Sequence, residues 1–186
     1  MPTGCKMLPM TAADVQRRLV LLRHAKSAYP HGVPDHDRPL AGKGRRNAAA
    51  AGDWFVTEGP RPDLVLCSDA QRARHTWEIV ASRLAATVPV RLDPSLYGAT
   101  PGEIITLAHG CADHDDAVHT LVVVGHEPTL SATTLLLAGE GSDPIALTKV
   151  ATKFPTSAVA VLSFTGSWAS LAFGGTALAS FAVPRA

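Results

Sequence analysis

The stretch Leu19-Val20-Leu21-Leu22-Arg23-His24 decides the fold. Four consecutive apolar side chains have the length of a strand covered on both faces, and the run stops abruptly at a cation and an imidazole. The same pattern recurs twice. Residues 64–67 are apolar and Ser68 follows directly, while residues 121–124 are a leucine and three valines closed by Gly125-His126. Helical patterns fall between these runs. Residues 47–55 read as one helix. After the second run, Ser68 and Gln71 fit an S-x-x-Q capping box, and Ala73, Trp77, Val80 and Leu84 recur at helical spacing. Thr100, Pro101 and Glu103 mark a third helix start, as cap, first-position proline and reciprocal glutamate. Pro128 opens a fourth helix, which Gly139 is placed to close. Residues 158–164 and 168–173 flank Thr165-Gly166-Ser167 and predict a hairpin. Strands alternating with helices give an α/β class: a three-layer α/β/α sandwich whose mostly parallel central sheet is made mixed by the terminal hairpin.

Composition narrows the function classes. The 186 residues suit one domain, and 46% hydrophobic with 18% charged residues exclude intrinsic disorder. A net charge of +1 argues against a nucleic-acid-backbone binder. No stretch approaches the roughly 20 apolar residues of a membrane span. Residues 1–18 lack the apolar region of a signal peptide and are expected to form a flexible leader, with Met10 an alternative start to Met1; residues 19–186 form the domain. Cys5, Cys67 and Cys111 are odd in number and far apart, which suits reduced thiols in a cytoplasmic protein. Residues 29–39, rich in Pro, His, Asp and Gly, form a loop.

Arg23-His24, Arg72 and His126 each follow the carboxyl end of an expected strand, the edge where open α/β sheets bind ligands. Guanidinium groups bind phosphate bidentately and stay charged. Arg72 falls in the first turn of its helix, where free N–H groups and the helix dipole favour an anion. A neutral imidazole beside a bound phosphoryl group can attack phosphorus, and a second histidine can donate to the developing charge. Taken singly, a histidine after a strand is a loop residue and a helix arginine is solvated. Three such strand ends in one chain point to phosphoryl transfer without a metal or cofactor.

The same segments resemble a known family. Leu21-Leu22-Arg23-His24-Ala25-Lys26-Ser27 is similar to the Arg-His-Gly signature of the histidine phosphatase superfamily, with Ala25 in place of the usual glycine. Ser68-Asp69-Ala70-Gln71-Arg72-Ala73-Arg74-His75-Thr76 resembles its S-x-x-x-R-A-x-x-T segment, and Val124-Gly125-His126-Glu127 its second-histidine segment. The resemblance implies a phosphoglycerate-mutase-like fold, with His24 as nucleophile and Arg23, Arg72 and His126 forming the phosphate pocket. Arg38-Pro39-Leu40 with Gly44, the short length and Lys153-Phe154-Pro155-Thr156 are similar to the SixA-type phosphohistidine phosphatases. Mutase-like members carry an acidic residue before a Tyr-Gly pair; here Pro94 stands at that place, ahead of Tyr97-Gly98. The carboxyls available as general acid are therefore the adjacent Asp93 and Glu103, although a capping box accounts for Glu103 without catalysis. An alkoxide leaving group needs such an acid, whereas an imidazole leaving group can be protonated by solvent.

The expected activity is metal-independent dephosphorylation through a phosphohistidine intermediate, on phosphohistidine in proteins. Ser27 and Arg38 are expected to contact substrate. The alternatives are a small-molecule phosphomonoesterase of the same superfamily, acting on a phosphorylated metabolite, and a non-catalytic phosphate-recognition module. Three rival motifs fail. Cys67 lies five residues before Arg72 and seven before Arg74, neither of which fits the C-x₅-R loop of cysteine-dependent phosphatases. The ligand-rich run His109, Cys111, His114, Asp115, Asp116 and His119 matches no standard zinc spacing. Gly42-Lys43-Gly44 lacks the remaining residues of a P-loop, and Lys43, Arg45 and Arg46 read as the exposed side of a helix start.

Overall fold

A computed structural model describes residues 15–112 and 117–186. Of the sequence expectations, those on Cys5, Met10, His114, Asp115, Asp116 and the side chain of Cys111 lie outside the described residues. Six strands form one sheet: β1 (Gln16–Arg23), β2 (Leu64–Ser68), β3 (Val90–Asp93), β4 (Thr120–Gly125), β5 (Val159–Thr165) and β6 (Ala177–Ala182). Their order is β3-β2-β4-β1-β5-β6, with β1 to β4 mutually parallel and β5 and β6 antiparallel. The helices are α1 (Gly42–Thr57), α2 (Gln71–Ala81), α3 (Pro101–Ala112), α4 (Thr129–Leu137) and α5 (Pro144–Thr152). None among the described residues is long and apolar enough to cross a membrane.

The alternation along β1 explains the three layers. Leu19 and Leu21 point to one face, where they join Leu121, Val123, Ile104, Leu130 and Val150 beneath α3, α4 and α5. Val20 and Leu22 point to the other and pack with Val65, Val122, Val124, Trp54, Phe55 and Trp77 beneath α1 and α2. Both faces of the central strands are thus covered, which is why their sequences read as continuous apolar runs. The mixed α/β/α sandwich is the expected one.

Several elements differ from the sequence expectation. Gln16, Arg17 and Arg18 belong to β1 rather than to a leader. Arg17 is buried and its Nε donates to the Gly166 carbonyl at 2.9 Å. Helix α1 begins at Gly42, five residues before the expected start at Asn47. Ser68 does not cap α2: it ends β2, and the N-cap is Ala70 without a side-chain bond. Leu84 lies past the end of α2 yet packs on the core. Gly139 does not close α4 through a left-handed turn. It is glycine because a Cβ there would lie 2.0 Å from the Gly174 carbonyl oxygen. The terminal hairpin pairs β5 with β6, not with residues 168–173. Trp168 breaks the expected strand because its ring is buried against Phe164, with centroids 5.4 Å apart, and its Nε1 donates to the Val118 carbonyl at 2.8 Å.

Candidate active site

The parallel neighbours β2, β4 and β1 end side by side, so their trailing residues meet. Arg23 is paired with Gly125 in register, and the His24 amide donates to the Gly125 carbonyl at 3.1 Å. His24 Nδ1 lies 2.8 Å from the carbonyl oxygen of Ala25, an acceptor only, so Nδ1 carries the proton. Nε2 therefore keeps its lone pair. Arg72 Nε donates toward that Nε2 at 3.4 Å. The His126 ring stands 5.0 Å from that of His24, and its Nε2 is hydrogen-bonded to Ser68 Oγ at 2.9 Å. The hydroxyl expected to cap α2 instead orients this histidine.

Burial holds both rings neutral. His24 is driven from 6.5 down to about 3, chiefly by desolvation, with the positive charges of Arg72 and Arg23 adding to it. His126 is pushed to about 4, again by desolvation first and then by Arg72. Neutral imidazole is the form a nucleophile needs. Two buried nitrogens at this cluster, Arg23 Nε and His126 Nδ1, have no hydrogen-bond partner among the described residues. Buried polar groups are ordinarily paired, and donors beside an unprotonated imidazole suit a phosphoryl anion.

Backbone contacts fix these groups. Arg23 Nη1 donates to the Phe154 carbonyl at 2.6 Å, which ties the Lys153-Phe154-Pro155-Thr156 segment to the pocket. Ser157, with φ 63°, turns its amide toward the carbonyl oxygens of Arg23 (3.1 Å) and His24 (3.3 Å). Thr76 Oγ1 accepts from the Ala25 amide at 2.9 Å and donates to the Arg72 carbonyl at 2.6 Å, joining the end of β1 to α2. Ala25 is fully buried with Leu40 and Ala48. Gly44 admits the first turn of α1 against this corner, since a Cβ there would sit 2.0 Å from the Lys26 carbonyl oxygen.

The remaining sequence-predicted residues are placed as follows. Arg38 Nη2 donates to Ser27 Oγ at 2.5 Å, Nε donates to the Ala28 carbonyl at 3.0 Å, and the guanidinium lies over the Tyr29 ring. Both residues thus brace loop 29–39. Asp93 Oδ1 accepts from the amide and hydroxyl of Ser95 at 2.9 and 2.6 Å, capping the turn Pro94–Tyr97. Glu103 Oε2 accepts from the Thr100 amide and hydroxyl at 2.7 and 2.8 Å. Each of these carboxyls is committed to a cap. Two residues that the sequence reading passed over stand at the pocket: Asp35, bonded to Arg72, and Tyr97, whose ring lies 5.3 Å from that of His126. Cys67 is buried and pushed up to about 12 by desolvation, an inert thiol. His109 Nε2 donates to the Leu171 carbonyl at 2.9 Å, and no group of three or more ligating residues forms among the described residues. A cavity of about 510 Å³ between Phe55, Arg61, Arg83 and Val88 lies away from the chemistry.

Residues 19–104 match the model of the histidine phosphatase superfamily, branch 1. A solved structure of a candidate phosphohistidine phosphatase SixA from Nakamurella multipartitia is 36% identical, superposes with a TM-score of 0.79, and is covered over 98% of its length by 92% of this chain. The chain belongs to the histidine phosphatase superfamily. As a member it is a phosphatase, and its likeness to this structure groups it with the SixA type. A second SixA candidate, from Agrobacterium tumefaciens, is 28% identical at a TM-score of 0.72 over 90% of this chain and 99% of its own. An uncharacterized protein of Mycobacterium tuberculosis shares 47% identity over 88% of this chain and the whole of its own.

Proposed function

We propose that this chain is a metal-independent phosphohistidine phosphatase acting through a phospho-His24 intermediate. The observation that carries the reading is the unprotonated His24 Nε2 facing Arg72 Nε. The lone pair of Nε2 attacks phosphorus while Arg23, Arg72 and His126 hold the phosphoryl oxygens. The bond from phosphorus to the substrate nitrogen breaks, and the departing imidazole takes its proton from solvent. Water then attacks phospho-His24, releasing orthophosphate and restoring the neutral ring.

The choice of a P–N bond rests on the engagement of the two carboxyls nearest the acid position. Asp93 and Glu103 both accept hydrogen bonds within their own caps, and Pro94 carries no proton. An alkyl ester would have to expel an alkoxide without a proton from either of them. The names of the SixA-type structures support the same substrate class. Parallel assays on a phosphohistidine peptide and a sugar phosphate test this directly. The peptide should be hydrolysed faster; faster cleavage of the alkyl ester would mean that a proton donor does reach the leaving group, and the phosphomonoesterase reading would replace this one.

A further inference from the structure

Arg72 is gripped from one side by the loop in front of it. Its Nη1 donates to the main-chain oxygen of Asp35 at 2.6 Å and its Nη2 to Oδ2 of the same residue at 3.1 Å. A guanidinium is planar, with its five N–H donors in a rigid fork. Clamping the Nη1/Nη2 end therefore sets the direction of the opposite edge. That edge is Nε, which points at His24 Nε2. Asp35 itself is secured: Tyr97 Oη donates to Oδ2 at 2.5 Å, and Oδ1 accepts from Arg38. These contacts, led by the Tyr97 hydroxyl, hold the carboxyl at about 2, so it is ionised at neutral pH. Next along the loop, His36 Nε2 bonds Asp69 Oδ1 at 2.9 Å, fastening the same turn to the segment before α2.

We infer that Asp35 is a positioning residue for phosphoryl transfer: it clamps the far end of the Arg72 guanidinium so that the Nε edge faces the oxygens of the phosphoryl group bound for His24. The inference rests on the proposed role of the His24–Arg72 edge and assigns a task to a residue outside the superfamily-like motifs. Asp35 does not touch the phosphoryl group. It acts through Arg72, and Tyr97 and Arg38 act through Asp35. Two other roles for the same contacts make opposite forecasts. If the carboxylate simply competed with phosphate for Arg72, removing it would tighten anion binding. If it only kept loop 29–39 folded, removing it would weaken binding whether or not Arg72 were present.

The deciding experiment is a double-mutant cycle read by calorimetric binding of tungstate, an oxyanion with phosphate-like geometry, which requires no turnover. Asp35→Ala should weaken binding about tenfold, the scale of one charge-assisted hydrogen bond. Asp35→Asn, which keeps an acceptor oxygen, should recover part of that loss. In an Arg72→Ala background, Asp35→Ala should cost nothing further. Tyr97→Phe, a change that leaves the ring packing intact, should reproduce a smaller loss that also disappears without Arg72. That arm decides the case if Asp35→Ala does not fold. Tighter binding by Asp35→Ala, or losses from Asp35→Ala and Tyr97→Phe that persist undiminished beside Arg72→Ala, would overturn the assignment. A protein that shows this cycle but leaves phosphohistidine intact would refute the proposed substrate and not the clamp.

Discussion

At the scale of single residues, the site depends on burial keeping two histidines neutral, and this has a consequence for stability. A group whose folded pKa is depressed to about 3 or 4 binds fewer protons than the unfolded chain between those values and 6.5. Stability therefore falls as pH drops through that window and is retained above it. The half-buried His36, raised by its bond to Asp69, acts in the opposite sense but is screened by solvent. Melting temperature should accordingly fall from pH 7 to pH 5, and His24→Gln should flatten the fall; an identical slope in the variant would contradict the burial argument. Arg72→Ala should weaken vanadate or orthophosphate inhibition by about 1.5–3 kcal/mol, as expected for a charge-assisted hydrogen bond. Unchanged inhibition constants would place Arg72 outside the pocket. His24, Arg23, Arg72 and His126 were legible because each is a polar residue directly after an apolar run or in the turn that follows one. Asp35 and Tyr97 were not, because what brings them to Arg72 is the path of loop 29–39 and of the turn after β3, and neither path has a periodic signature. The carbonyl of Phe154 and the amide of Ser157 are main-chain groups, which no residue type announces.

At the scale of elements, the central strands and α2 could be read because burial on both faces, or on one helical stripe, imposes a composition. Strand β3 is a short edge strand with exposed Val90 and Leu92, so it lacks that composition. Helix α5 did carry a signal in Asp143-Pro144, a side-chain cap followed by first-position proline. The false capping box at Ser68 shows the limit of local pairing rules: a hydroxyl that caps in isolation was drawn to His126 by the neighbouring strand. The junction of α1 with the His24 corner yields an element-scale prediction. Gly44→Ala should place a methyl group against the Lys26 carbonyl and destabilise the protein by about 1–3 kcal/mol, the usual range for overpacking. Activity should fall with it, because α1 must withdraw from the backbone that follows His24. Denaturant unfolding indistinguishable from wild type would show that the contact relaxes at no cost.

At the scale of the whole molecule, one mixed sheet whose central strands are buried on both faces brings Arg23, His24 and His126 to a common edge beside Arg72 in the first turn of α2, and the proposed phosphoryl chemistry follows from two fixed cations and two neutral imidazoles. The account requires no metal: dialysis against a chelator should leave turnover unchanged, and loss of activity restored by zinc or magnesium would overturn the mechanism. Its central claim is covalent catalysis by His24. The most direct measurement is rapid quenching of the enzyme with a phosphohistidine peptide carrying ³²P, followed by peptide mapping in alkali. The account predicts a label that survives base, is lost in acid, maps to the peptide containing His24, and is absent from a folded but inactive His24→Ala variant. Label on any other residue, or phosphatase turnover in His24→Ala equal to that of the wild type, would contradict it.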